Sequence, residues 1–190
     1  MQEINSFRNQ LLIAMPDLKD PNFFHGVTFV CQHNSEGALG LVINHPTPMV
    51  LGEILEQMDI SVEDEKIANL PVFAGGPVQQ ERGFVLHQSA DKDEFWESSI
   101  RISDSLSLTT SRDILKAIAI GEGPEKFLVA LGYAGWGEDQ LEGEMKSNTW
   151  LSTAYDESVV FDTPISKRWK VAAHNMGLDI NLLSTQVGHA

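Results

Sequence analysis

Between Gly26 and Ile43 the chain alternates. Val27, Phe29 and Cys31 fall on one face, the polar stretch HNSEG interrupts, and ALGLVIN resumes the apolar run. A period of two broken by polar residues and glycine predicts a β-hairpin turning over His33 to Gly37. The period then lengthens. Thr47 before Pro48 marks a helix start, and Leu51, Ile54, Leu55 and Met58 recur at spacings of three and four, with Glu53 and Glu56 outside. An acidic link from Ser61 to Asn69 leads into PVFAGG, a short buried strand running into a glycine turn, and ERGFVLH reads as the next strand.

From Gln88 to Ser107 the chain is polar and acidic, interrupted by Phe95, Trp96, Ile100 and Ile102, which predicts a surface loop with one short strand. Thr110 or Ser111 then caps a helix that buries Ile114, Leu115 and Ile118 and stops at Gly121. FLVALGY is a continuous apolar run of strand length and is expected to be central in the sheet. AGWGEDQLEGEMKSN passes through glycines into a short helix facing inward with Leu141 and Met145, and SVVF reads as a further strand. Thr163 and Pro164 open a last helix that buries Ile165, Trp169, Ala172 and Met176 and ends at Gly177. Strands occur both in hairpins and beside helices. The expected fold class is α+β, a mixed sheet or partly closed barrel flanked by helices.

At 190 residues, 42% of them hydrophobic, the chain can bury enough surface to fold without a disulfide or metal, and one domain over residues 1–190 is expected. The lone Cys31 excludes an internal disulfide and fits a reducing compartment. The apolar stretch from Leu11 to Met15 is too short for a secretion signal, and no run approaches the ~20 residues of a membrane span, so a cytoplasmic protein is expected. Acidic residues outnumber Lys and Arg by 27 to 13, a formal net charge of −14. Such a surface repels polyanions. Direct nucleic-acid and membrane partners are therefore disfavoured, and the basic trio Lys167, Arg168 and Lys170 reads as a solvated helix face around Trp169.

Few residues declare chemistry. Cys31 with His33 two positions along would be a candidate thiol pair, yet an apolar strand is where cysteine serves as a small core residue. GYAGWG, residues 132–137, matches no phosphate-loop spacing, and Glu138 and Asp139 follow it where an anion would sit, so a turn that lets Trp136 pack is expected. Arg112 is less expected, because a cation in a helix's first turn opposes the dipole; an ion pair with Asp113 or another acid would explain it, and so would a shared carboxylate or phosphate site with Arg82. His87 closes a strand near Glu81 and Arg82 and could act as a base. Neither HxH, HExxH nor GxSxG spacing occurs, so no metal site, cofactor motif or catalytic set is specified.

Taken together, LLIAMPDLKDPNF, HNSEGALGLVINHP, FAGGPVQQERGFVLH, LTTSRDILKAIAIGEGP, LVALGYAGWGEDQLEGEMKSNTWL and FDTPISKRW resemble the YqgE/AlgH family of bacterial proteins over nearly the whole chain. His45 departs from the family pattern, where an arginine is expected before the proline. The resemblance implies an α+β fold with a bifurcated sheet, part of it a small closed barrel, surrounded by helices. It implies no activity, substrate or cofactor; the AlgH name refers to a proposed role in transcriptional control of alginate production. Two function classes follow. One is a non-enzymatic regulatory protein, a monomer or weak dimer, acting through an unidentified protein partner that Trp96 and Trp136 would anchor. The other is a small-anion or nucleotide binder, or an enzyme, whose loop-built site gathers Asn34, Glu36, Arg82, His87 and Arg112.

Overall fold

The computed structural model describes residues 6–89 and 96–183; Phe95, expected within the acidic loop, lies outside them. Ten strands, β1 (Gln10–Ala14), β2 (Val27–Asn34), β3 (Gly37–Val42), β4 (Pro46–Val50), β5 (Pro71–Ala74), β6 (Val78–Gln88), β7 (Ser99–Arg101), β8 (Leu106–Thr109), β9 (Phe127–Trp136) and β10 (Trp150–Ala154), form one curled half-barrel in the order β10, β1, β2, β3, β9, β6, β8, β7, with β5 branching from β9 and β4 pairing with β5. The hairpin of β2 (Val27–Asn34) and β3 (Gly37–Val42) is present where the alternation placed it. Its register shifts between Val30 and Gln32, so Cys31 sits in a bulge. That bulge breaks the face the alternation assigned. Cys31 packs with Phe29 and Leu41, whereas His33 turns to the other side, where its Nε2 lies 2.6 Å from Glu142 Oε1 and its Nδ1 accepts the Phe7 amide.

FLVALGY begins β9 (Phe127–Trp136), the central strand, and this strand divides the sheet. Its first half pairs parallel with β5 (Pro71–Ala74) and antiparallel with β6 (Val78–Gln88); its last residues pair with β3. Gly132 stands at the changeover with φ +76°, and a Cβ there would come within 2.4 Å of the Gly76 carbonyl oxygen. Only glycine fits both demands. Residues 132–136 thus continue the strand rather than forming the expected turn.

Two strands escape a periodicity reading, one buried and one at the edge. β1 (Gln10–Ala14) pairs on one side with β2 and on the other with β10 (Trp150–Ala154), and four of its five residues are fully buried, so no polar alternation advertises it. Pro46–Val50, expected to open a helix, is the edge strand β4, and α1 (Leu51–Gln57) starts after it; Glu53 caps the helix by accepting the Val50 amide. Within the acidic link Glu65–Ala68 forms the single turn α2, capped by Asp64. The loop before β8 (Leu106–Thr109) carries one short strand as expected, β7 (Ser99–Arg101). Residues Ser158–Asp162 form a π-helical turn, not a strand, because Asp156 Oδ1 accepts from the Ser158 and Val159 amides and the Ser158 hydroxyl and so bends the chain at once.

The helices cover the sheet in separate patches. α3 (Arg112–Ala119) lies with α1 over β5, β6 and β9, burying Ile114, Leu115 and Ile118 with Leu51 and Leu55. α4 (Gln140–Lys146) buries Leu141 beside Trp136 and Trp150, and Glu144 Oε2 accepts both indole N–H groups at 2.5 and 3.4 Å. α5 (Arg168–Asn175), preceded by a single 3₁₀ turn and followed after Gly177 by α6 (Ile180–Leu183), buries Trp169 and Ala172, while Ile165 and Met176 are only partly covered. Arg168 is no solvated face residue. It is 4% exposed, donates through Nε to the Thr163 carbonyl and through Nη1 to the Ile43 carbonyl, and lies 5.3 Å above the Phe73 ring. Among the described residues no helix is long and apolar enough to cross a membrane.

Candidate functional site

β6 does not run evenly along β9. Val78 opposes Tyr133 and Gly83 opposes Leu131, so five steps of one strand answer two of the other, and Gln79 to Arg82 bulge out of the sheet. Gln79 adopts φ +47°, a conformation non-glycine residues take rarely. Bulges re-aim side chains. This one swings Glu81 and Arg82 over a cavity of about 410 Å³ between β6, α1 and the start of α3. Met49, Ile54, Met58, Phe84 and Leu115 supply apolar walls, and Thr109, Thr110 and Ser111 supply polar groups.

Arg82 and Arg112 both line this cavity. Arg82 Nη1 donates to Gln79 Oε1 at 3.3 Å, and its Cζ lies 5.4 Å above the Phe84 ring. The expected ion pair of Arg112 is not formed: Asp113 instead accepts from the Ser111 hydroxyl and from the Glu97 and Ile114 amides. Arg112 donates to the carbonyl of Met58, the residue that ends α1. A cation opposing the dipole of its own helix thus serves the negative end of a neighbouring one. Neither arginine forms a salt bridge among the described residues.

The other candidates divide. His87 is fully buried and does not line the cavity; its Nε2 lies 2.7 Å from Oγ1 of the lining Thr109 and its Nδ1 2.8 Å from the Gln88 carbonyl. Asn34 and Glu36 are not part of the site. Asn34 Oδ1 accepts the Glu36 amide within the hairpin turn, and both border a separate shallow depression with Tyr133 and Gly135. Cys31 is fully buried, and burial pushes its thiol well above the ordinary value, so it is a core residue. Trp136 is 6% exposed and cannot anchor a partner; Trp96 is half-buried against the cluster under α3. Ile54 and Met58 read in the sequence only as an inward stripe, because helical spacing marks an apolar residue as inward without distinguishing cavity from core, and Met49 lies on the edge strand β4, which the periodicity did not show. Among the described residues no three His, Cys, Asp or Glu side chains cluster to hold a metal ion.

The AlgH-like family model matches residues 11–181. A UPF0301 protein of Thioalkalivibrio sulfidiphilus is 53% identical over 190 residues, all of both chains, and one of Alcanivorax borkumensis 52% identical over 98% of both. The solution structure of the AlgH protein from Pseudomonas aeruginosa superposes with a TM-score of 0.79 at 42% identity, covering 100% of this chain and 99% of that one. A crystal structure of a Corynebacterium diphtheriae protein, 16% identical, shares the fold with a TM-score of 0.76 over 97% of this chain and 94% of that one.

Proposed function

The chain belongs to the AlgH-like family, and from that premise we propose that it is a ligand-binding regulatory protein whose cavity beside α1 and α3 takes a small amphipathic anion. One observation carries this reading: in a chain of net charge −14, two guanidinium groups without carboxylate partners among the described residues border the same apolar cavity. Arginine forks suit carboxylate and phosphate oxygens, and the methionine, isoleucine and phenylalanine walls suit an apolar body. The Thr110 hydroxyl supplies a further donor at the polar end. The cavity is bounded by two helices, α1 and α3, so an occupant would bridge them, and a protein partner that touches both would read occupancy. The acidic surface favours such a partner over a nucleic-acid polymer.

The test is a thermal-shift series with octanoate, octanol and inorganic phosphate. Octanoate at ten times its dissociation constant stabilises the native state by about 1.4 kcal/mol, a rise of roughly 3–6 °C for a chain of this size. Octanol and phosphate alone give less. The Arg82→Ala, Arg112→Ala double variant loses the octanoate response. A response that survives in the double variant, or its absence from the wild type, overturns the reading.

A further inference from the structure

The bulge of β6 has a second side. Gln80 borders a larger cavity of about 780 Å³, which meets the first at Leu131 and is bounded by the loop from Lys19 to Phe24 and by β4. We propose that this cavity is a separate binding site for a planar aromatic ring carrying a phosphate, a nucleoside monophosphate being the simplest chemistry that fits.

The ring's platform is Phe24. Its ring stacks on His25 with centroids 3.9 Å apart and planes 14° from parallel, and His25 stacks in turn on Trp169 at 3.8 Å and 9°. The bottom of this pile is fixed in the core, since Trp169 is 7% exposed and its indole N–H donates to the Ala14 carbonyl at 2.8 Å. The top is open. Phe24 is 47% exposed although one of its faces is covered, so the exposure belongs to the other face and the edges. His25 holds φ +51° to keep the pile aligned, and His45 Nε2 lies 2.9 Å from the Phe24 carbonyl and fixes its backbone. A large apolar ring held rigid by two aromatic layers, yet left uncovered beside a cavity, is preorganised to stack one more ring.

Charge selects the rest of the ligand. Lys19 and His45 are the titratable side chains lining the cavity, and Lys19 makes no ion pair among the described residues; the neighbouring carboxylate of Asp20 does not line the cavity and is taken up by the backbone and side-chain amides of Asn22. Behind the wall lies Arg168. Its guanidinium donates to the Ile43 carbonyl two residues before His45, lies above Phe73 next to the lining Ala74, and has no carboxylate partner among the described residues. An unneutralised cation in a low-dielectric interior biases the adjoining space toward anions. The Asn22 and Gln80 amides offer the hydrogen bonds that a heterocyclic edge needs.

Calorimetry with AMP, ribose 5-phosphate and adenosine tests this. The wild type should bind AMP about tenfold or more tightly than ribose 5-phosphate, the size of one base-on-aromatic stack. Phe24→Leu should abolish that preference and Phe24→Tyr should retain it, with melting temperatures near that of the wild type because position 24 is exposed. Lys19→Ala should weaken AMP and leave adenosine unchanged. Arg112→Ala should leave AMP binding intact, so this proposal and the octanoate cavity fail independently. Equal or absent binding of AMP and ribose 5-phosphate by the wild type overturns it. So does an AMP preference that survives Phe24→Leu or disappears with Arg112→Ala.

Discussion

Replacing Arg168 tests whether a buried cation without an acid is held by carbonyls and a ring. Burial pushes its guanidinium down to about 10, so the charged form carries a cost in the fold. The sign is that of a depressed base: stability is gained only as pH rises through that value, and the full cost is present at neutral pH. Two charge-assisted bonds, to the Thr163 and Ile43 carbonyls, and the Phe73 face offset it. Arg168→Met keeps an apolar stem on Phe73 and removes the charge cost, but strands two carbonyls at about 1–3 kcal/mol each. The net loss should be about 1–3 kcal/mol. Arg168→Lys keeps the charge, has no fork to reach both carbonyls, and carries a more strongly hydrated head, so it should lose about 3–4 kcal/mol. Urea unfolding should therefore order the midpoints wild type, Met, Lys with unchanged slopes. At about 2–4 °C per kcal/mol, the lysine variant should melt roughly 6–16 °C lower. A lysine variant as stable as the wild type would refute this reasoning, because only a solvated head is indifferent to the exchange.

Cys31, buried with a thiol that burial keeps protonated, should resist iodoacetamide in the folded protein and react once denatured, and Cys31→Ser should cost about 1–3 kcal/mol by leaving a hydroxyl in an apolar cluster; rapid labelling of the folded chain at neutral pH would contradict this. At Asp113 burial opposes ionisation, but bonds from the Ser111 hydroxyl and from the Glu97 and Ile114 amides outweigh it and hold the carboxyl below its ordinary value. Its contribution should be present above the ordinary carboxylate value and disappear as pH falls through the depressed one, so the stability gap between wild type and Asp113→Asn should close in acid. A gap that stays constant from neutral to acid would show that the negative charge plays no part.

Where a residue's neighbours in space are also its neighbours in sequence, the chain could be read. The hairpin of β2 and β3, the glycine stops at Gly121 and Gly177, with φ of +77° and +79°, and the central place of β9 all follow from local period or backbone freedom. The failures share a different cause. β1 is covered on both faces by partners up to 155 residues away, as the bond from Trp169 to Ala14 shows, so it carries no polar rhythm. Arg168 looks solvated between Lys167 and Lys170, yet its bond partner Ile43 lies 125 residues away. At Cys31 a single bulged residue reverses the phase and sends His33 to the opposite face, which no count along the strand reveals. Of the five candidate site residues, Arg82 and Arg112 meet at one cavity because the bulge and the helix start converge on α1, whereas Asn34 and Glu36 satisfy each other in a turn.

Both cavities trace to one topological demand. β9 must pair with β5 over its first half and with β3 over its last residues, and no straight strand serves both directions. Gly132 supplies the change with a left-handed backbone, and Gly76 approaches so closely there that no side chain fits between them. β6, the neighbour on the other side, cannot follow such a corner residue for residue, so it pairs at Val78, leaves the ladder, and rejoins at Gly83. The loop thrown out between those points is where Gln80 faces the Phe24 cavity while Glu81 and Arg82 face the other. Polar side chains at Gln79 to Arg82 are then no accident of exposure. They stand on the segment that the split of the sheet forces away from its neighbours, and Leu131, opposite Gly83, is the floor both cavities share. A glycine required by backbone geometry thereby determines where charged groups can be displayed over apolar walls.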